Sequence, residues 1–450
     1  MTHSKESAHS QTHDLLFMVA VVGIGVFCRS YWGTKKRYRS RSRRDLSCCI
    51  QRIEARVQQD EGGRGIVQII PAPPSLDTED EDVCDGDEAS SSSSLSLSHM
   101  EAAAKAMLAC NHAVIMTGFP CLLQNDPPTE TDGPLGTLCL ARTLVALGKK
   151  VRIVTDECNE DVLLTCAAAS QVFSMGRDEE GMPLLQLESF PGMATFDESD
   201  FTRLGKVRKE ADIVIAVERA GPSSDGCYKT MTGKDMTAIL APLDTLLQPE
   251  DFQELDNGES FTKPHSSDGD DGDGDDAALT PTVVAPAPAP LLNGADGADG
   301  RVTEQKRKRM TSIGIGDGGN EVGMGAVYDL VCNSTIPLAA DIACVVPTDH
   351  LLVSSVSNWG AYALSASVAL LATAEPLSYF YGCDVKQSVD ACMPSAEQEQ
   401  RICQGAVAAG AGDGISGERK EWVDGMPLST SLEVLQNVKD IAIYSEGNIG

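Results

Sequence analysis

A doubly wound α/β domain, with a mostly parallel sheet and helices on both faces, is what this sequence predicts, on three observations. Apolar runs of strand length at 113–117, 151–155, 212–217 and 310–313 lack the alternation of a half-exposed sheet and read as strands buried on both faces. Stretches of helical pattern at 135–147, 158–170 and 196–210 fall between them, the order of βαβ units. Polar loops follow the strands, at the carboxyl ends where open α/β sheets place their ligands.

Composition sets the limits. The chain has 450 residues, 42% of them apolar and only 5% aromatic, enough for one sizeable α/β core and not for three. A net charge of -30 excludes nucleic acid as a partner, because phosphate binding needs clustered Lys and Arg. Much of that charge lies in two acidic tracts outside any core. The 15 cysteines share no repeated short spacing and read as small buried hydrophobes in a reducing compartment.

Residues 1–48 have the features of an address: an apolar run at 15–28, then a basic segment at 29–44. Charge on that side suits a membrane anchor with its C-terminal side in the cytosol, or an organellar presequence. Residues 49–98 read as a disordered linker, acidic and Ser-rich in its second half. A single domain is expected over 99–450, opening with a helix at 100–110. It is interrupted at 253–306 by an acidic, Pro-rich insertion expected to be disordered. Beyond the insertion, strands are expected at 310–313, 342–346 and 351–357. A buried helix at 361–372, a variable excursion at 383–400 and a helix at 432–438 capped by Ser429 or Thr430 complete the chain.

The loop at 314–325, Gly-Ile-Gly-Asp-Gly-Gly-Asn-Glu-Val-Gly-Met-Gly, holds six glycines between a strand and a helical run. Free backbone N–H groups at such a turn suit an anion. The carboxylates of Asp317 and Glu321 in the same turn imply a cation or amine as well. Gly314, Gly316 and Gly319 satisfy G-x-G-x-x-G, but no acidic residue closes the next strand as a dinucleotide site requires. No P-loop Lys follows either, so no nucleotide cofactor is expected.

Six segments, in order, resemble one family: 117–120 (Thr-Gly-Phe-Pro), 127–134 (Pro-Pro-Thr-Glu-Thr-Asp-Gly-Pro), 218–221 (Glu-Arg-Ala-Gly), 316–325, 357–360 (Ser-Asn-Trp-Gly) and 423–427 (Val-Asp-Gly-Met-Pro). From about Met100 onward the chain is similar to the C-terminal domain of the mitochondrial D-glutamate cyclases. The family's animal members are longer, with a hydro-lyase-like domain ahead of this one that no segment here matches. The resemblance implies a mitochondrial hydro-lyase that removes water from D-glutamate to give 5-oxo-D-proline. A non-catalytic module that binds small anions or amino acids, or a membrane-tethered scaffold anchored through 15–28 and facing the cytosol, is the alternative.

Roles follow from the chemistry. The α-amine must lose a proton and attack the γ-carboxyl carbon, while a carboxylate oxygen leaves as water. Glu130, Asp132, Asp317 and Glu321 are the candidate catalytic residues, with Asp317 and Glu321 as ligands for Mg²⁺ or Mn²⁺. Arg219 and the N–H groups of Gly316, Gly318 and Gly319 are expected to hold the substrate carboxylates, and Asn320, Ser357 and Asn358 to orient the substrate.

Overall fold

The computed structural model describes residues 43–71, 98–248 and 310–444. Its centre is a sheet of six parallel strands: β1 (His112–Gly118), β2 (Lys150–Asp156), β3 (Leu185–Phe190), β4 (Ile213–Arg219), β5 (Thr311–Gly316) and β6 (His350–Val353). They are hydrogen bonded in the order β3-β2-β1-β4-β5-β6. Successive side chains of a strand face opposite sides, and here both sides are apolar. Ala113, Ile115, Ile213, Ile215 and Val217 enter one core with Leu135, Leu138 and Trp359, while Val114, Met116, Val214 and Ala216 enter another with Phe190, Leu204 and Val207. The fold is therefore doubly wound, as the strand composition predicts.

The helices are α1 (Arg43–Val57), α2 (His99–Ala109), α3 (Pro134–Ala146), α4 (Glu160–Ser170), α5 (Glu198–Glu210), α6 (Tyr328–Cys332), α7 (Ala339–Ile342), α8 (Ser357–Ala372), α9 (Val385–Cys392), α10 (Ala396–Ala408) and α11 (Leu428–Tyr444). Every residue of α8 is buried, as its Ala and Leu content demands. Gly136 lets α3 approach it: a Cβ there would lie 2.8 Å from the Asn358 Cα. A short antiparallel hairpin, β7 (Trp422–Val423) with β8 (Met426–Pro427), precedes α11.

Five sequence expectations need correction. The apolar run 342–346 is not a strand. It ends α7 and then runs against two loops, with Val345 N–H donating to the Pro222 carbonyl (2.9 Å) and Cys344 N–H to that of Gly319 (3.0 Å). The excursion at 383–400 contains α9 and the start of α10, the latter opened by a Ser395/Gln398 capping box. The last helix begins at Leu428, ahead of both residues expected to cap it. Strand β3, which the sequence reading leaves irregular, is the sheet's edge and alternates too little to stand out.

The fifth correction reaches the site. Residues 49–71, read as linker, belong to the fold: Leu46, Cys49, Ile50, Ile53 and Val57 form one apolar stripe of α1 inside the main core. Ile66 and Ile69 are fully buried beside Met324, Val331 and Leu351. The 15–28 segment and the whole of the 253–306 insertion fall outside the described residues. Among the described residues no helix is long and apolar enough to cross a membrane.

Candidate active site

The strand order reverses between β1 and β4, and in open parallel sheets a ligand crevice forms outside the carboxyl ends at that point. Six buried carboxyl groups lie around this point. Glu130 and Asp132 follow β1, Glu218 ends β4, Asp317 and Glu321 follow β5, and Asp424 sits in the β7–β8 turn.

Asp132 is fixed at the amino end of α8, where its two oxygens accept from the backbone N–H groups of Ser357 (2.9 Å) and Asn358 (2.8 Å). That position lets the helix dipole support a negative charge. Asn358 in turn ties down the loop carrying Asp132: its Oδ1 accepts from Gly133 (3.1 Å) and Gly136 (2.6 Å), and its Nδ2 donates to the Thr131 carbonyl (3.2 Å). Ser357 donates its hydroxyl to Glu218 Oε2 at 2.6 Å.

Glu218 reaches the crevice through a backbone irregularity. The β1–β4 register slips at Gly118, and Glu218 adopts φ +42°, a left-handed conformation rare for a residue with a side chain. Asp424 has φ +51°. Backbone strain of this kind is concentrated at functional sites, and here it aims two of the six carboxyls. Oxygens of Asp132, Glu218 and Asp317 all lie within 4.8 Å of one another, a spacing that fits a cation.

One guanidinium faces this charge. Arg64 donates through Nη2 to Asp317 Oδ2 (2.7 Å), to Asp424 Oδ2 (3.1 Å) and to the Ser355 carbonyl. Burial raises Glu130 and Glu218 well above the usual carboxylate range, and their acidic neighbours raise them further. Burial likewise brings Asp132 to about 8, against the lowering effect of the α8 N–H groups. Asp317 and Asp424 are raised by burial to about 7, with Arg64 holding both back. Near neutral pH the cluster therefore contains both proton donors and proton acceptors. Cys121 Sγ lies 3.4 Å from Glu130 Oε2, and burial and that carboxylate push the thiol well up.

The residues expected from sequence divide into two sets. Glu130, Asp132, Asp317 and Ser357 enter the cluster directly, and Asn358 fixes its geometry. The glycine loop does not present free N–H groups: Glu321 accepts from Gly318 and Gly319 at 2.7 Å each and from Asp317 N–H at 3.3 Å. The expected anion site is thus filled by the chain's own carboxylate, which also separates Glu321 from the metal set. Gly318 permits this approach, since a Cβ there would lie 2.9 Å from Glu321 Oε1. Gly316 packs against Met324 and Glu321, and Asn320 donates to the Lys229 carbonyl at 2.8 Å.

Arg219 points elsewhere. Fully buried, it pairs with both oxygens of Asp156 and donates to the Gly118 and Ala241 carbonyls. None of the six carboxyls is among its hydrogen-bond partners. Sequence reasoning gave no role to Glu218 or Asp424, although both stand in the quoted motifs, and it missed Arg64. A signal existed in the three glycines around Arg64, at 62, 63 and 65.

Comparison with known proteins agrees with the resemblance. A family model described as "D-glutamate cyclase-like, C-terminal" matches residues 81–256 and 295–439. The human protein "D-glutamate cyclase, mitochondrial" is 26% identical over 401 residues, covering 87% of this chain and 52% of that protein. The chain thus spans about half the length of this curated relative. Arg64 precedes the residues that the family model matches. The doubly wound sheet, the ordered motifs and the model match lead to one conclusion: the chain belongs to the D-glutamate cyclase-like C-terminal family.

Proposed function

We propose that this chain is a D-glutamate cyclase, converting D-glutamate to 5-oxo-D-proline and water, and that it works in mitochondria like the relative whose name records that compartment. One observation carries the chemical reading: six buried carboxyls converge on a crevice with a single guanidinium among them. Such an excess of acid suits a ligand that brings positive charge, as the ammonium of an amino acid does. The same acids supply the reaction's proton transfers.

A carboxylate of the cluster, Asp132 or Asp317, takes the proton that the α-ammonium loses. The nitrogen lone pair forms the bond to the γ-carbon, and the C–O bond then breaks. Once bonded to carbon, the nitrogen gives up a second proton to the cluster, and Glu218 or Glu130, kept protonated by burial, passes the two protons shed by nitrogen to the departing oxygen, so that it leaves as water. A γ-carboxylate is a poor electrophile and needs its charge offset. Asp132, Glu218 and Asp317 are a hard-oxygen set suited, when ionised, to Mg²⁺ or Mn²⁺, which would polarise that carboxylate when bound and would leave Glu130 as the proton donor.

The test is to incubate the full chain with D-glutamate and, separately, L-glutamate, with and without Mn²⁺, and to follow 5-oxoproline by chiral chromatography. Formation of the D product alone is the expected result. Absence of product from both enantiomers in folded protein would overturn the reading.

A further inference from the structure

We propose that Arg64 is the residue that recognises a substrate carboxylate, and that the segment 60–65 is built to deliver it; the inference rests on the amino-acid substrate proposed above. Three observations carry it. First, the turn is constructed around this one side chain: Asp60 accepts from Arg64 N–H (2.8 Å) and Gly65 N–H (2.7 Å), and Gly63 and Gly65 take left-handed conformations on either side. Second, the turn is held against the strand ends from both directions. The Val57 carbonyl accepts from Ser355 N–H (2.8 Å), and Gln68 exchanges hydrogen bonds with Thr335 (2.8 and 3.0 Å).

Third, the guanidinium is only partly used. All its bonds to the protein leave from Nη2, and the buried Nε–H has no partner. Its side chain is also 21% exposed, whereas that of Asp317 beside it is 5% exposed, so Arg64 stands on the open side of the cluster. A carboxylate entering there meets charge-assisted donors already fixed in place. No other Arg or Lys makes an ion pair with any of the six carboxyls among the described residues.

The test uses the full chain with Mn²⁺ present and compares wild type with Arg64→Ala and Arg64→Lys. The readouts are kcat and KM for D-glutamate, and binding of glutarate, which keeps both carboxylates and lacks the amine, by calorimetry. Loss of a charge-assisted clamp is expected to raise KM and weaken glutarate binding by about 10- to 100-fold in Arg64→Ala, with part of the loss recovered in Arg64→Lys. An unfolding midpoint close to wild type will show that the fold is intact.

If D-glutamate turns over with a KM that does not depend on Arg64, the inference is overturned and the cyclase reading stands. If glutarate binding depends on Arg64 but no turnover occurs, the carboxylate site stands and the cyclase reading falls. Failure of wild type both to bind glutarate and to turn over D-glutamate overturns both.

Discussion

Two arginines, Arg64 and Arg219, stand at the carboxyl ends of the same sheet and do opposite work. Arg219 follows a buried strand directly, the position from which a side chain is expected to grip a ligand. Yet its guanidinium is fully buried and held by Asp156 and two backbone carbonyls. Arg64 comes from a polar stretch with no strand before it, and it faces the acids with its side chain 21% exposed, where that of Arg219 is fully buried. What distinguishes them is which acid each already has: Asp156 belongs to Arg219 alone among the described ion pairs, whereas Asp317 and Asp424 share Arg64.

The sharpest way to break this contrast is to remove Arg219. Arg219→Ala leaves Asp156 charged and unpaired in the core, at a cost of about 3–5 kcal/mol, to be read as a fall in the denaturation midpoint. A midpoint within error of wild type would mean that Arg219 is not the structural member of the pair. Glu399 offers a control, being a buried carboxyl with no guanidinium partner. The Tyr362 hydroxyl donates to one of its oxygens, and the other has no partner. Burial raises it to about 8, above the value it takes in the unfolded chain. Its contribution to stability is therefore complete below about pH 4.5 and is lost as pH rises through about 8. Glu399→Gln should flatten that part of the stability profile, with an effect on the order of a few kcal/mol at alkaline pH. An unchanged slope between pH 5 and 9 would count against a neutral Glu399.

Glu321→Ala tests the claim that the glycine loop is closed on itself. Gly318 and Gly319 would lose their acceptor in a buried turn, which costs about 2–4 kcal/mol by the same denaturation measurement. Stability equal to wild type would reopen the loop as a ligand site. The smallest effect is expected for Arg64→Ala, under about 1 kcal/mol in stability, because removing one partly exposed cation lets Asp317 and Asp424 take up protons instead. A loss as large as that of Arg219→Ala would make the two arginines alike.

Much of the fold was legible because parallel strands buried on both faces leave unbroken apolar runs; β1, β2 and β4 were visible for this reason. Edge strand β3 lacked such a run, and the equally apolar 342–346 segment proved to be loop, since composition does not say which backbone will accept its N–H groups. The carboxylates Glu130, Asp132 and Asp317 were legible from their place after strands. Glu321 misled because a carboxylate a few residues beyond a glycine turn can fold back and fill it. Arg64 was hidden by its neighbourhood: the charged residues around α1 masked an apolar stripe that only the helical spacing of Ile50, Ile53 and Val57 reveals.

Turnover of D-glutamate by Glu218→Gln in the full chain, beside wild type, addresses most directly the claim that the buried acids at the β1–β4 reversal do the chemistry. The substitution keeps the shape of the side chain and removes its transferable proton. A loss of about 10²- to 10⁴-fold in kcat with an unchanged unfolding midpoint is expected. Turnover within a few-fold of wild type would contradict the assignment and move the active site away from this cluster.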